Sequence, residues 1–215
     1  MTNVENFNDQ GKSEEILNAI SHGLGGLLAI AGTGVMLVIA AGSGEVIDVI
    51  SASLYCFGLI FLYIMSTLYH SMNQYKAKRI FQKLDHCSIF VLIVGSYAPI
   101  CLSLLGGKLG WIIFSVNLFL AVLGIVANAI SVNKWSKLSL LLYLLMGWSV
   151  MAGLKPLMQL ISVRGFLLLL MGGLFYSIGV IFYTRKRPRY MHAVWHIFVL
   201  AGSCFHYFFI LFFIF

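Results

Sequence analysis

The stretch from Tyr190 to Phe215 contains no Asp, Glu, Lys or Arg. A run of that length reaches the roughly 20 residues that an α-helix needs to cross a bilayer. Six further apolar runs precede it, at residues 14–40, 47–71, 82–105, 109–132, 136–154 and 164–184, and the last run is placed at 189–214. Unpaired backbone groups cannot face lipid, and continuous apolar runs lack the alternation of a barrel strand, so each run is predicted to be a helix. Composition agrees, with 60% hydrophobic residues, 10% charged residues and a mean hydropathy of +0.95. The predicted fold is all-α: a seven-transmembrane helix bundle at 14–215, preceded by a short polar segment at 1–13. With 215 residues there is no room for a separate soluble module.

Local signals place the boundaries. Residues 1–12 lack the basic segment and small-residue cleavage site of a secretory signal, so the first helix is expected to be retained. Ser13 is predicted to cap that helix, with Glu14 and Glu15 in the first turn, where the helix dipole favours acids. Gly42-Ser43-Gly44 marks a turn, the fifth span is the shortest, and Pro188 is expected to open the seventh helix. Gly23, Gly25, Gly26, Gly32 and Gly34 leave surfaces for close helix approach.

Net charge is +7, but the basic residues sit beside the apolar runs and are topology signals, not a nucleic-acid surface. Lys12, the group Lys76, Lys78, Arg79 and Lys83, the pair Lys134 and Lys137, and the cluster Arg185, Lys186, Arg187 and Arg189 all fall on one side. Only Lys108, Lys155 and Arg164 fall on the other. The positive-inside rule then predicts a cytoplasmic N-terminus and an extracytoplasmic C-terminus, in a multi-pass cell-membrane protein. That orientation opposes a G-protein-coupled receptor, and the last helix has no lysine for a retinal Schiff base.

The topology gathers the histidines. His22, His70, His86, His192 and His196 fall at the cytoplasmic level of their helices; His206 lies about 15 Å deeper than His196 at 1.5 Å per residue. His192 and His196 are i and i+4 on one helix face, as are Ser66 and His70. Six of the seven carboxylates precede residue 49, which leaves Asp85 alone in the histidine layer. Polar groups in that setting mark a functional site by default. The economical ligand set is His70, His192 and His196; three neutral imidazoles suit Zn2+, with a fourth position open to water. Asp85 would orient that water or take its proton, and Ser66 would support it or touch substrate. Asp85 has a competing reading as a salt-bridge partner of Lys83 or Arg79, and the histidines as hydrogen-bonding groups between helices. Cys87 is a weaker candidate ligand and His86 a supporting partner. The four cysteines show no paired spacing and are expected as small apolar packing groups.

Several motifs, in order, resemble the haemolysin III family, the bacterial branch of the progestin and adipoQ receptor family, related in turn to alkaline ceramidases. They are Asn18-Ala-Ile-Ser21-His22, Ser66-Thr-Leu-Tyr-His70, Lys83-Leu-Asp85-His86 followed by Gly95-Ser96-Tyr97-Ala98-Pro99, and His192-Ala-Val-Trp-His196 with His206 beyond. The resemblance spans nearly the whole chain. It implies zinc on the histidines matching His70, His192 and His196, with water between the metal and the acid matching Asp85. It also implies a cytoplasmic N-terminus. Receptor members carry a long N-terminal region where this sequence has residues 1–13, which argues against hormone reception.

Three functions compete. One is a zinc-dependent intramembrane hydrolase cleaving an amide or ester in a membrane lipid. The second is a non-enzymatic regulator of membrane state, in which zinc ties helices together. The third is a cytolytic pore, as the family name implies, although the helices offer few polar residues for a lumen. The Phe-rich C-terminal end is expected as packing or lipid-facing surface, and Trp111, Trp135 and Tyr190 as interfacial anchors.

Overall fold

A chain with apolar runs of this length must satisfy its backbone groups internally. The computed structural model does so with helices alone among the described residues, 10–185 and 188–215. The elements are α1 (Lys12–Gly42), α2 (Val46–Ser71), α3 (Tyr75–Ala98), α4 (Gly107–Ile130), α5 (Val132–Gly147), α6 (Leu154–Leu160), α7 (Val163–Thr184) and α8 (Met191–Phe213). Seven membrane-length apolar spans result, because α3 runs on through a wide π-helical segment, Pro99–Leu105, and α5 and α6 together form one interrupted span. The protein is therefore a multi-pass integral membrane protein. Lys186 and Arg187, counted above for orientation, lie outside the described residues.

Four boundaries differ from expectation, each for a local reason. Helix α1 starts at Lys12, and Glu14 Oε2 accepts the Gly11 N–H at 3.0 Å, so Gly11 and not Ser13 is the cap position. Helix α3 begins seven residues before the apolar run, since residues 75–81 form a helical extension of it. The fifth span breaks at Trp148 into a tight turn, Ser149–Gly153, before α6. Pro188 stands ahead of α8 instead of in its first turn. Tyr190, with φ 67°, makes the final reversal, so it is a turn residue as well as a half-exposed aromatic.

The break in the fifth span exposes backbone groups at membrane depth, which is tolerated only when protein satisfies them. Tyr97 on α3 does so: its hydroxyl donates to Gly147 O and accepts from Val150 N, both at 2.8 Å. Asn117 on α4 adds a hydrogen bond to Ser149 Oγ at 2.7 Å.

Helix α2 packs along both α1 and α3, and α8 packs along α7 and α1. Glycine permits the tightest of these seams. A Cβ on Gly95 would lie 2.7 Å from Leu54 O, and one on Gly58 would lie 3.0 Å from Leu92 Cα, so α2 and α3 meet backbone to backbone. Hydroxyls inside the bundle pair with one another: Tyr63 and Tyr176 each meet Ser203 Oγ at 2.8 Å. Cys56, Cys87 and Cys101 are buried thiols, whereas Cys204 is exposed on the outer surface of the bundle.

Candidate metal centre

The close seams of α2 with its neighbours bring the basic ends of α1, α2, α3 and α8 together. One ring nitrogen from each of His70, His192 and His196 falls within 4.8 Å of the other two. His192 and His196 meet because they are one helical turn apart. His70, the penultimate residue of α2, reaches them across the bundle, with its ring centroid 5.1 Å from each. The Nε2 atoms of all three rings are buried and have no hydrogen-bond partner. Burying a polar atom without a partner costs about 1–3 kcal/mol. Three clustered rings, each with such an atom, are a donor set that a metal ion satisfies.

The opposite ring nitrogens explain why Nε2 is free. His70 Nδ1 lies 2.6 Å from Glu15 Oε2. An ionised carboxylate only accepts, so Nδ1 carries a proton, and an imidazole bearing that proton alone keeps its lone pair on Nε2. His196 Nδ1 faces Asn18 O at 3.3 Å and Ser21 Oγ at 3.2 Å, and the carbonyl imposes the same tautomer. Metal-binding histidines generally use the second nitrogen in this way.

Asp85 is buried on α3 beside Ser66, within electrostatic reach of His70 and of the neighbouring His86. Its Oδ2 is 3.8 Å from His86 Nδ1, and that Nδ1 itself donates to Gln82 O at 2.9 Å. Lys83, one proposed salt-bridge partner of Asp85, instead donates to Ala129 O at 2.5 Å. Ser66 Oγ is buried and completes no hydrogen bond. Cys87 is turned away, with Sγ 3.7 Å from Ile125 O, on the α3–α4 seam; it is no ligand candidate. His206 is tied to Leu169 O at 3.2 Å, well away from the cluster.

Next to this centre a cavity of about 130 Å³ runs between α3, α5, α7 and α8. Asp85, Tyr143 and Tyr183 line one end, and Tyr97, Trp148 and His206 the other, with leucine, isoleucine and valine side chains between. Asp85 and Tyr97 are separated along α3 by about 18 Å of helix at 1.5 Å per residue. The break in the fifth span, at Gly147 and Trp148, forms part of this wall.

Sequence reasoning missed the role of the first turn of α1. Glu15 pairs with His70 and with Lys78 Nζ at 2.8 Å; Glu14 Oε1 accepts the Tyr190 N–H at 2.5 Å, two residues before His192. Asn18 and Ser21 hold His196. The signal was present: Glu15, Asn18 and His22 follow an i, i+3, i+7 stripe, unusual in polarity for one face of a membrane helix.

Comparison with known sequences gives a consistent answer. Residues 10–207 match the family described as Haemolysin-III related. Among curated proteins, the chain is 42% identical over 199 residues to a Hemolysin-3 homolog of Bacillus subtilis (strain 168), covering 93% of each chain. It is 39% identical over 201 residues to Hemolysin-3 of Bacillus cereus, covering 94% of this chain and 92% of the relative. A more distant human relative, Monocyte to macrophage differentiation factor, is 30% identical over 172 residues, covering 74% of this chain and 68% of its own.

Proposed function

The chain belongs to the haemolysin-III related family, and on that premise we propose that it is a zinc-dependent hydrolase of a lipid amide or ester, working inside the membrane. The observation that carries the reading is the clustering of three histidine rings, each with a partnerless Nε2 atom, beside a buried carboxylate and an apolar cavity. The donors fit zinc: three neutral imidazoles, two of them fixed through Nδ1 by a carboxylate and a carbonyl, are a ligand set of catalytic zinc sites. A zinc ion bound there would polarise a carbonyl oxygen and bring the pKa of a water to about 7.

The residues of the chain supply the rest. The apolar wall takes the acyl chain and sets the carbonyl at the polar end of the cavity, where Asp85 stands. Asp85 accepts a proton from the attacking water as its oxygen bonds to the carbonyl carbon. The bond to the leaving nitrogen or oxygen then breaks, and Asp85 returns the proton to that atom. Ser66 is free to hydrogen-bond Asp85 or the substrate. The products are a carboxylic acid and an amine or alcohol, both able to leave into the bilayer.

The test uses purified full-length protein in lipid nanodiscs, with zinc measured by elemental analysis and released fatty acid by mass spectrometry. A ceramide and a phospholipid serve as substrates. Turnover by the parent, absent from Asp85→Asn that still holds zinc, is the expected result. Equal turnover in both proteins would remove Asp85 from the chemistry, and absence of zinc from the parent would remove the reading. The name of the Bacillus cereus relative favours a second reading, membrane lysis. Vesicle leakage that persists in His192→Ala, without lipid cleavage, would favour lysis over hydrolysis.

A further inference from the structure

We propose that Glu15 is a positioning residue of the metal centre, which orients His70 through Nδ1 and raises its strength as a ligand, while Lys78 moderates that effect. The inference rests on the metal reading above and adds a residue from a helix that supplies no ligand.

The geometry separates this role from an ordinary interhelical ion pair. The Glu15 carboxylate divides its two oxygens: Oε1 takes Lys78 Nζ at 2.8 Å, and Oε2 takes His70 Nδ1 at 2.6 Å. A salt bridge tying α1 to α3 needs only the first contact. The second places a formal negative charge at Nδ1, on the opposite side of the imidazole from its partnerless Nε2. A carboxylate on Nδ1–H pushes electron density toward Nε2 and prevents the ring from turning or exchanging tautomers. Glu15 and Lys78 side chains are only 16% and 15% exposed, so water screens this charge weakly. Among the described residues, the other interactions of the His70 ring are ring contacts with Tyr69, His192 and His196.

Lys78 acts in the opposite sense. Its ammonium draws on the same carboxylate and lies 5.2 Å from the centre of the Tyr69 ring, on the residue before His70. Removing this cation leaves the whole Glu15 charge to His70. The two ends of the ion pair are thus expected to affect metal binding unequally, whereas a purely structural tie would make them equivalent.

Zinc dissociation constants of the detergent-solubilised full chain, measured by competition with a chromophoric chelator, test this. Glu15→Gln is expected to bind zinc about 10–100-fold more weakly than the parent, with Lys78→Met unchanged or tighter. Cobalt(II) in place of zinc should show a weakened or shifted visible d–d band in Glu15→Gln and the parent band in Lys78→Met. Should Glu15→Gln fail to fold, Glu15→Asp withdraws the carboxylate by one methylene, keeps its charge, and should also weaken binding. Parent-like affinity in a folded Glu15 variant overturns the inference and leaves the metal reading standing. Equal weakening in the Glu15 and Lys78 variants also overturns it, in favour of a structural tie. A parent chain that binds no zinc sinks the metal reading and this inference with it.

Discussion

His22 lies flat on His196: their ring centroids are 3.5 Å apart and their planes 11° from parallel. Both His22 nitrogens are buried and without hydrogen-bond partners, and it is the ring face that meets His196. His22→Phe is therefore expected to retain metal stoichiometry, because a phenyl ring keeps the stack. Elemental analysis of the purified variant checks this. Loss of metal from His22→Phe would make His22 a ligand.

The centre is shared between α2 and α8, so either side is indispensable. His70→Ala and His192→Ala should each lose bound zinc, and both should lose the rise in melting temperature that added zinc gives the parent. A ligand at 100 times its dissociation constant stabilises by about 2.7 kcal/mol, which a thermal melt in detergent resolves. A zinc-induced rise that survives in both variants would place the ion elsewhere.

Gly95 sits where α3 presses on the α2 backbone, and its nearest neighbours, Leu54 O and Tyr55 Cα, cannot rotate away. Gly95→Ala should lower stability by about 1–3 kcal/mol, as overpacking does. Because α2 carries Ser66 and His70 and α3 carries Asp85, zinc affinity should fall as well. Thermal unfolding and chelator competition report the two effects separately.

Tyr97 closes the gap in the fifth span from a different helix. Tyr97→Phe removes the hydroxyl and leaves Gly147 O and Val150 N without their partner, at about 1–3 kcal/mol. Since Gly147 and Trp148 line the cavity, lipid turnover should change while zinc content does not. A melt and zinc assay on the same preparation decide it.

Charge asymmetry predicts which face each loop meets. Lys134→Cys should react with a membrane-impermeant maleimide only from the cytoplasmic side, and Lys108→Cys only from outside. Both positions are exposed, and three of the four native thiols are buried. Labelling in the reverse pattern would invert the bundle and move the histidine centre to the outer leaflet.

The spans were legible because hydropathy is additive along a helix, and each run is long enough to outweigh its few polar members. The histidine layer was legible for a related reason. Polar residues are so rare in these helices that His70, Asp85, His192 and His196 stand out, and helix direction alone fixes their depth. The break at Trp148 was not legible, since the sequence stays apolar through it and its stabilising hydroxyl comes from Tyr97, far away in the chain. Glu15 was obscured by a sufficient local explanation. An acid in a first turn needs no partner, and the two it has, His70 and Lys78, lie 55 and 63 residues on.

Sequence alone therefore determined the number of spans, their order and the level of each polar group along its helix, because these follow from local composition and from the 1.5 Å rise of a helix. Tertiary structure alone decided which faces turned toward one another. Only packing through Gly58 and Gly95 and the α1 contacts brought the three imidazoles within 4.8 Å, chose Nε2 as the free nitrogen, and set Glu15 behind His70. Rotation about a helix axis barely alters how much apolar surface each span buries, so close packing and hydrogen bonding, not hydropathy, select it.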